Sequence, residues 1–289
     1  RQNDNLEGQS CDDTEADIGN SPDFHTPSNQ TKSNLCAYVM SSNTLKPLLQ
    51  SMNNKQQKIF YMIRDWCIRY KNGEKDLQPF HMFITGGAGV GKSHLIKCIY
   101  GACTKILRSS ESPGDISVLL LAPTGTAAHN IHGQTIHSAF KIPVPPGRNY
   151  QPLSSDVLNS LRAELDSLKI IILDEVSMVG TRLLEYLDGR LRQIMGKSYS
   201  SKAGAFGGVS VVAVGDFYQL APIPRSPIVV SSVQYGSQLF RDSFKLTELD
   251  EVMRQRDDAV FARALNMLRV KSKDTEIDQD IDAMLKKRA

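Results

Sequence analysis

The chain has no apolar run approaching the roughly 18–20 residues that a membrane span requires. Its first twenty residues, RQNDNLEGQSCDDTEADIGN, contain no apolar core of a secretory signal and are too acidic for a transit peptide. The first residue is Arg rather than Met, which fits a fragment or a processed form. The five cysteines (Cys11, Cys36, Cys67, Cys98 and Cys103) form no C-x-x-C pair and no Cys/His metal pattern. That argues against a zinc ribbon or a disulfide framework and favours a reducing compartment. His129, His132 and His137 lie close together but lack an H-x3-H pair and a nearby cysteine, so a zinc site is not expected there. No internal repeat is present.

Charge of one sign is missing overall but not locally. Residues 1–44 hold seven acids against two bases, a net −5, so the rest carries +8 towards the total of +3. The acidic stretch is rich in Asn, Ser, Asp, Gln and Thr and reads as a disordered tail. The basic body suits a polyanionic partner such as nucleic acid.

What is present is the alternation of an α/β fold. Four apolar runs, FHMFIT (80–85), SVLLLA (117–122), KIIILD (169–174) and VSVVAV (209–214), are continuous rather than alternating, as in strands buried on both faces of a parallel sheet. Helical spacing separates them over 92–107, 127–140, 156–168 and 181–195. Ahead of the first strand, Ile59, Phe60, Ile63, Trp66 and Cys67 mark one more helix, with Gly73 as its stop. Residues 141–155 form a Pro-rich insert and 196–208 a Gly/Ser loop. Val260, Phe261, Ala264, Leu265 and Leu268 mark a late helix, and the charged tail 271–289 ends without another strand. The expected domains are the tail 1–44, an α/β domain over 45–270 and the charged tail.

Two motifs carry chemistry. GGAGVGKS (Gly86, Gly87, Ala88, Gly89, Val90, Gly91, Lys92, Ser93) follows a strand and opens a helix, the context a phosphate-binding loop requires. Its backbone N–H groups and the helix N-terminus, with His94 just inside it, should cradle phosphates. Lys92 should reach the β- and γ-phosphates, and Ser93 should ligate Mg²⁺. IIILDEVSM delivers two acids at a strand end: Asp174 to hold Mg²⁺ through water, Glu175 to orient and deprotonate the attacking water. Together they indicate a Mg²⁺-dependent NTPase. In VGDFYQLAPI, Gln219 can sense a γ-phosphate and Asp216 can join the outer shell of the metal. Arg254 and Arg256 can stabilise transition-state charge. LAPTGTAAHNIHGQTIHSAF offers hydroxyls and amides able to track a phosphodiester backbone.

In this order the motifs resemble those of the ATP-dependent DNA helicases of the Pif-one family, in helicase superfamily one, over 45–270. MNNKQQKIF is similar to its Q motif, LAPTGTAA with GQTIHSAF to its motif Ia region, LDEVSM to its motif II, GDFYQLAPI to its GDFFQLPPV motif and VMRQRDDAVFARALNMLR to its RQ-containing segment. Tyr218 and Ala221 depart from the family's Phe and Pro.

The resemblance implies a RecA-like domain, ATP as substrate with Mg²⁺, Gln56 at the adenine and Arg254 at the γ-phosphate. It also implies Pro123, Thr124, Thr126 and His137 along single-stranded or forked DNA, and 5′-to-3′ unwinding. Roles in DNA repair, recombination and telomere maintenance would follow, in the nucleus or else the mitochondrion. The family's T-x-H-K-x-Q-G segment is not found, so a second RecA-like domain is expected to be missing. The alternatives are a mobile-element remnant that binds nucleotide or DNA without turnover and, less in keeping with GDFYQL, a P-loop kinase or metabolic ATPase.

Overall fold

The four apolar runs become four strands of one sheet, β1 (His81–Gly86), β2 (Val118–Ala122), β4 (Ile170–Leu173) and β5 (Ser210–Gly215). Two further strands, β3 (Gln134–Thr135) and β6 (Lys245–Leu249), complete a six-stranded sheet of order β3-β2-β4-β5-β1-β6. Every pairing is parallel. The computed structural model describes residues 39–112, 114–147, 149–197, 204–219, 236–251 and 253. No helix among them is long and apolar enough to cross a membrane.

Both faces of the sheet are covered, which is why the runs are continuous. Met82, Ile84, Leu120, Ile172 and Val214 point to a core shared with α1 (Ser42–Gln50), α2 (Asn54–Lys71) and α3 (Lys92–Leu107). Phe83, Leu121, Ile171 and Val211 point to the other core. That face is covered by α5 (Ile136–Ala139), α6 (Ser155–Leu165), α7 (Thr181–Ile194) and α8 (Gln238–Ser243). Burying each of these side chains contributes about 1.5–3 kcal/mol.

Three features differ from the sequence reading. The helix expected over 127–140 is two short helices, α4 (Gly125–Asn130) and α5, with β3 between them. The break lies at His132, whose φ is +54°, and at Gly133, where a Cβ would sit 2.5 Å from the Leu120 carbonyl oxygen. Secondly, α1 starts inside the stretch read as tail, capped by Ser41 Oγ, which accepts from Thr44 N–H at 3.1 Å. Thirdly, β6 is a strand that the sequence reading did not include; as an edge strand of largely exposed residues it shows no apolar run.

The Pro-rich insert is fastened to α7. Arg190, only 3 % exposed, donates to the carbonyls of Phe140 (3.2 Å) and Gln151 (2.6 Å) and to Tyr150 Oη (2.9 Å). Gln193 Oε1 accepts from Tyr150 Oη–H at 2.8 Å and from Leu153 N–H at 3.0 Å. At the opposite edge of the sheet from the strand C-termini, Trp66 donates to Gln78 O at 2.9 Å and packs on Tyr70 and Phe80.

Candidate active site

A parallel sheet sends the loop after every strand to one edge, and the strand order reverses at β1, where such folds bind ligands. After β1 the chain turns through Gly89 (φ +78°) and Gly91 (φ +82°), left-handed conformations that glycine adopts without strain. A Cβ at Gly86 would lie 2.4 Å from the Leu249 carbonyl oxygen, so β6 can pass only a glycine there. α3 begins without a side-chain cap, and its first backbone bond runs from Leu95 N–H to Gly91 O. The N–H groups of Ser93 and His94 precede that first bond of the helix ladder and suit an anion. Lys92 Nζ donates to Gly86 O (2.8 Å) and Gly87 O (3.0 Å), which folds the ammonium over the loop. Ser93 and Ala88 are exposed at its rim and Val90 is buried beneath it. The His94 ring turns away to α1, with Nε2 3.0 Å from Leu48 O and 3.3 Å from Ser51 Oγ.

β4 delivers the two acids. Asp174 is 7 % exposed, and burial pushes its carboxyl up to about 6; the Glu175 N–H, donating to its Oδ1 at 2.9 Å, and the Lys92 charge act in the opposite direction, while the charge of Glu175 adds to the rise. A carboxylate desolvated in this way suits a nearby cation. Glu175 has φ +51°, a left-handed conformation that costs a non-glycine residue about 1–3 kcal/mol. The 3-10 turn Val176–Met178 that follows presses on β5, where a Cβ at Gly215 would meet Val176 N at 2.9 Å. No cluster of three or more His, Cys, Asp or Glu side chains occurs among the described residues. Mg²⁺ takes one or two protein ligands and fills its other positions with phosphate oxygens and water. Ser93 at the loop and Asp174 at the end of β4 are the oxygen donors that could hold such an ion.

Asp216 follows the last residue of β5 and is fully buried. Its Oδ1 accepts from Tyr218 N–H (3.1 Å), its Oδ2 from Gln219 Nε2–H (3.3 Å) and its main-chain oxygen from Gln219 N–H (2.9 Å). Asp216 thus shapes the turn that presents Gln219. The adjoining aromatic pair divides. Phe217 packs on Phe83 (5.0 Å between ring centroids) and Phe240 (5.8 Å), while Tyr218 is 62 % exposed.

Sequence reasoning missed the return of the chain after β6. Met253 N–H donates to Gly89 O at 2.8 Å, directly on the phosphate loop. Asn53 Nδ2 reaches Met253 Sδ at 3.5 Å, and Lys55 pairs with Asp250 at 2.5 Å. These partners stand about two hundred residues apart in sequence, and no local pattern announces them. Gln56 places its amide on the loop carbonyls rather than towards open space, with Nε2 3.2 Å from Val90 O and 3.3 Å from Gly91 O. Arg254, Arg256 and the helix expected over 260–268 lie outside the described residues.

A family model described as PIF1-like helicase matches residues 51–270. The chain belongs to the PIF1-like helicase family. It is 32 % identical over 203 residues to the ATP-dependent DNA helicase PIF1 of Saccharomyces cerevisiae, a match that covers 69 % of this chain and 22 % of that protein. It is 39 % identical over 142 residues to the ATP-dependent DNA helicase PIF4 of Trypanosoma brucei brucei, covering 48 % and 16 %. Among solved structures it is similar to a Bacteroides Pif1 helicase in complex with ADP-AlF3 and single-stranded DNA (TM-score 0.57, 26 % identity, 81 % of this chain, 48 % of that one). It is also similar to Pif1 helicase from Candida albicans (TM-score 0.58, 25 % identity, 81 % and 46 %). The chain thus spans about half of the solved PIF1 helicases and under a quarter of these two curated relatives. The parallel sheet flanked by helices is the RecA-like sheet of those helicases.

In this PIF1-like chain the residues expected along DNA gather at the same edge, after β2 and β3. Thr124 Oγ1 caps α4 by accepting from Ala127 N–H at 3.3 Å, and Thr135 Oγ1 caps α5 by accepting from Ser138 N–H at 3.2 Å. Capping uses these hydroxyls as acceptors. Thr126 is exposed, and Pro123 and His137 are half-buried.

Proposed function

We propose that this chain is the nucleotide-binding motor domain of an ATP-dependent DNA helicase, hydrolysing ATP with Mg²⁺ and coupling it to movement along single-stranded DNA. One observation carries the reading. The phosphate loop, the Asp174–Glu175 pair, the Gln219 turn and the Met253 segment are all delivered to one edge of the sheet, and Met253 bonds to the loop itself.

In this reading the N–H groups at the start of α3 bind the β- and γ-phosphates, and Lys92 swings from the loop carbonyls onto them. Bound Mg²⁺ would supply charge neutralisation of the phosphates, with Ser93 and Asp174 as its protein contacts. Glu175, displayed by its left-handed backbone, takes the proton of the attacking water. Gln219, steered by Asp216, senses the γ-phosphate, and Arg254, next to Met253 in sequence, stabilises the charge of the transition state. Pro123, Thr124, Thr126 and His137 contact the DNA backbone. Directional movement then requires that the grip on DNA differ between the nucleotide states.

The test is steady-state ATP hydrolysis with and without single-stranded oligonucleotide, beside the Lys92→Ala variant. Turnover that rises with the oligonucleotide and vanishes in the variant is expected. Nucleotide binding with no turnover at any DNA concentration would favour the remnant reading. Turnover indifferent to DNA but stimulated by a small metabolite would overturn the helicase assignment.

A further inference from the structure

The positive charge of the body is concentrated on one face of the sheet. The helices α1, α2 and α3, with Arg108 just beyond them, carry ten Lys and Arg side chains and a single acid, Asp65. The rest of residues 45–289 is close to neutral. Some of the cations have partners: Asp65 and Glu74 neutralise Arg69, and Asp250 pairs with Lys55. Lys46, Lys58, Arg64 and Lys105 form no ion pair among the described residues.

These four cations lie around a groove of about 440 Å³ between α1, α2 and α3. Leu45 and Leu49 give it an apolar lining, and Lys46 and Lys105 bring ammonium groups to it from two different helices. Lys105 Nζ is steadied by a 2.8 Å bond to Ser42 Oγ. Tyr61 lines the groove from α2 and is 56 % exposed. Its ring meets the buried Phe60 edge to face, with 5.4 Å between centroids. Lys58 and Arg64 stand one helical turn before and after it.

The groove is separate from the phosphate site. Lys105 lies thirteen residues along α3 from Lys92, about 20 Å at the rise of a helix. α1 also precedes residues 51–270, so one wall of the groove stands outside the family match. An exposed ring among cations from three helices suits a single-stranded nucleic acid, whose bases stack on the ring while Lys and Arg take the neighbouring phosphates. An acidic peptide would use the cations and leave the ring and the apolar lining unmatched.

We propose that this groove holds a second single strand of DNA, apart from the strand at the sheet edge, with a base on Tyr61 and phosphates on Lys46 and Lys105. The inference rests on the motor reading for the nature of the polymer. Unwinding yields two single strands, and the sheet edge tracks one of them.

The experiment measures, by fluorescence anisotropy, the affinity for a duplex with two single-stranded arms and for the same duplex with either arm alone. ATP turnover with oligonucleotide is measured beside it. The variants are Tyr61→Ala, Tyr61→Phe and the double change Lys46→Gln with Lys105→Gln, with melting temperatures to check the fold.

The unaltered protein is expected to prefer the two-armed duplex by roughly tenfold. Tyr61→Ala should lose most of that preference and Tyr61→Phe should keep it. The lysine variant should flatten the slope of log affinity against log salt by about 1.4, for two contacts with a single strand. All three should keep DNA-stimulated turnover. An unchanged preference in Tyr61→Ala overturns the groove. So does a loss shared by every substrate and by turnover, which puts Tyr61 on the tracking strand. Polyglutamate that competes as well as an oligo-dT of equal charge makes an acidic polypeptide the occupant and overturns it too. Turnover that no DNA stimulates, with the arm preference intact, fails the motor reading and leaves the groove standing.

Discussion

Lys92 and Asp174 carry opposite charges into the same edge and lead to different expectations. Lys92 rests on Gly86 O and Gly87 O, contacts that a bound phosphate would replace. Lys92→Ala is therefore expected to cut ATP turnover by about a hundredfold or more, with little change in melting temperature, in a paired assay of the two. Asp174 is different because burial raises its pKa from 3.8 to about 6. The folded state then holds the proton more tightly than the unfolded chain does. That stabilisation is fully present below about pH 4 and is lost as pH rises through about 6. The melting temperature of the ligand-free protein should carry a falling component across that window, and Asp174→Asn should remove it. Mg²⁺-dependent nucleotide binding should strengthen over the same window, because a cation favours the ionised carboxylate. A pH-independent difference between the two proteins would rule out the burial argument.

Among the elements, the Pro-rich insert is held to α7 by the side chains of Arg190 and Gln193, and Arg190 makes the contacts of a charged donor. Arg190 lies between two carbonyls, a phenol and the Tyr150 and Tyr186 rings. Arg190→Met is expected to cost about 2–3 kcal/mol, since it strips a charged donor from several buried acceptors at once. Limited proteolysis should show earlier cleavage within 141–155, and an unchanged cleavage pattern would separate the insert from Arg190. The strands β1, β2, β4 and β5 were legible in the sequence because two-sided burial writes itself as an unbroken apolar run. β3 and β6 were not legible: one has two residues, the other is an exposed edge, and neither buries enough side chain to leave a pattern. The phosphate loop and the acidic pair were legible because a strand, a glycine turn and a helix start are local. The contacts through Asn53, Gln56 and Met253 were not, because they join segments from opposite ends of the domain.

For the molecule as a whole, the shared edge created by the parallel sheet meets a body of charge +8. If that edge carries DNA, oligonucleotide affinity should fall linearly on a plot of log affinity against log salt, with a slope set by the number of phosphates neutralised. A flat salt response, measured by fluorescence anisotropy, would exclude backbone contacts as the main source of grip. The sheet also places the chain's one tryptophan far from that edge. Trp66 sits before the start of β1, and the six residues of β1 set it about 20 Å from the phosphate loop. The protein's own ultraviolet emission is thus a spectator of catalysis. It should red-shift when denaturant opens the contacts with Tyr70 and Phe80, yet stay dark to nucleotide occupancy, so optical work on turnover needs a reporter installed at the opposite edge.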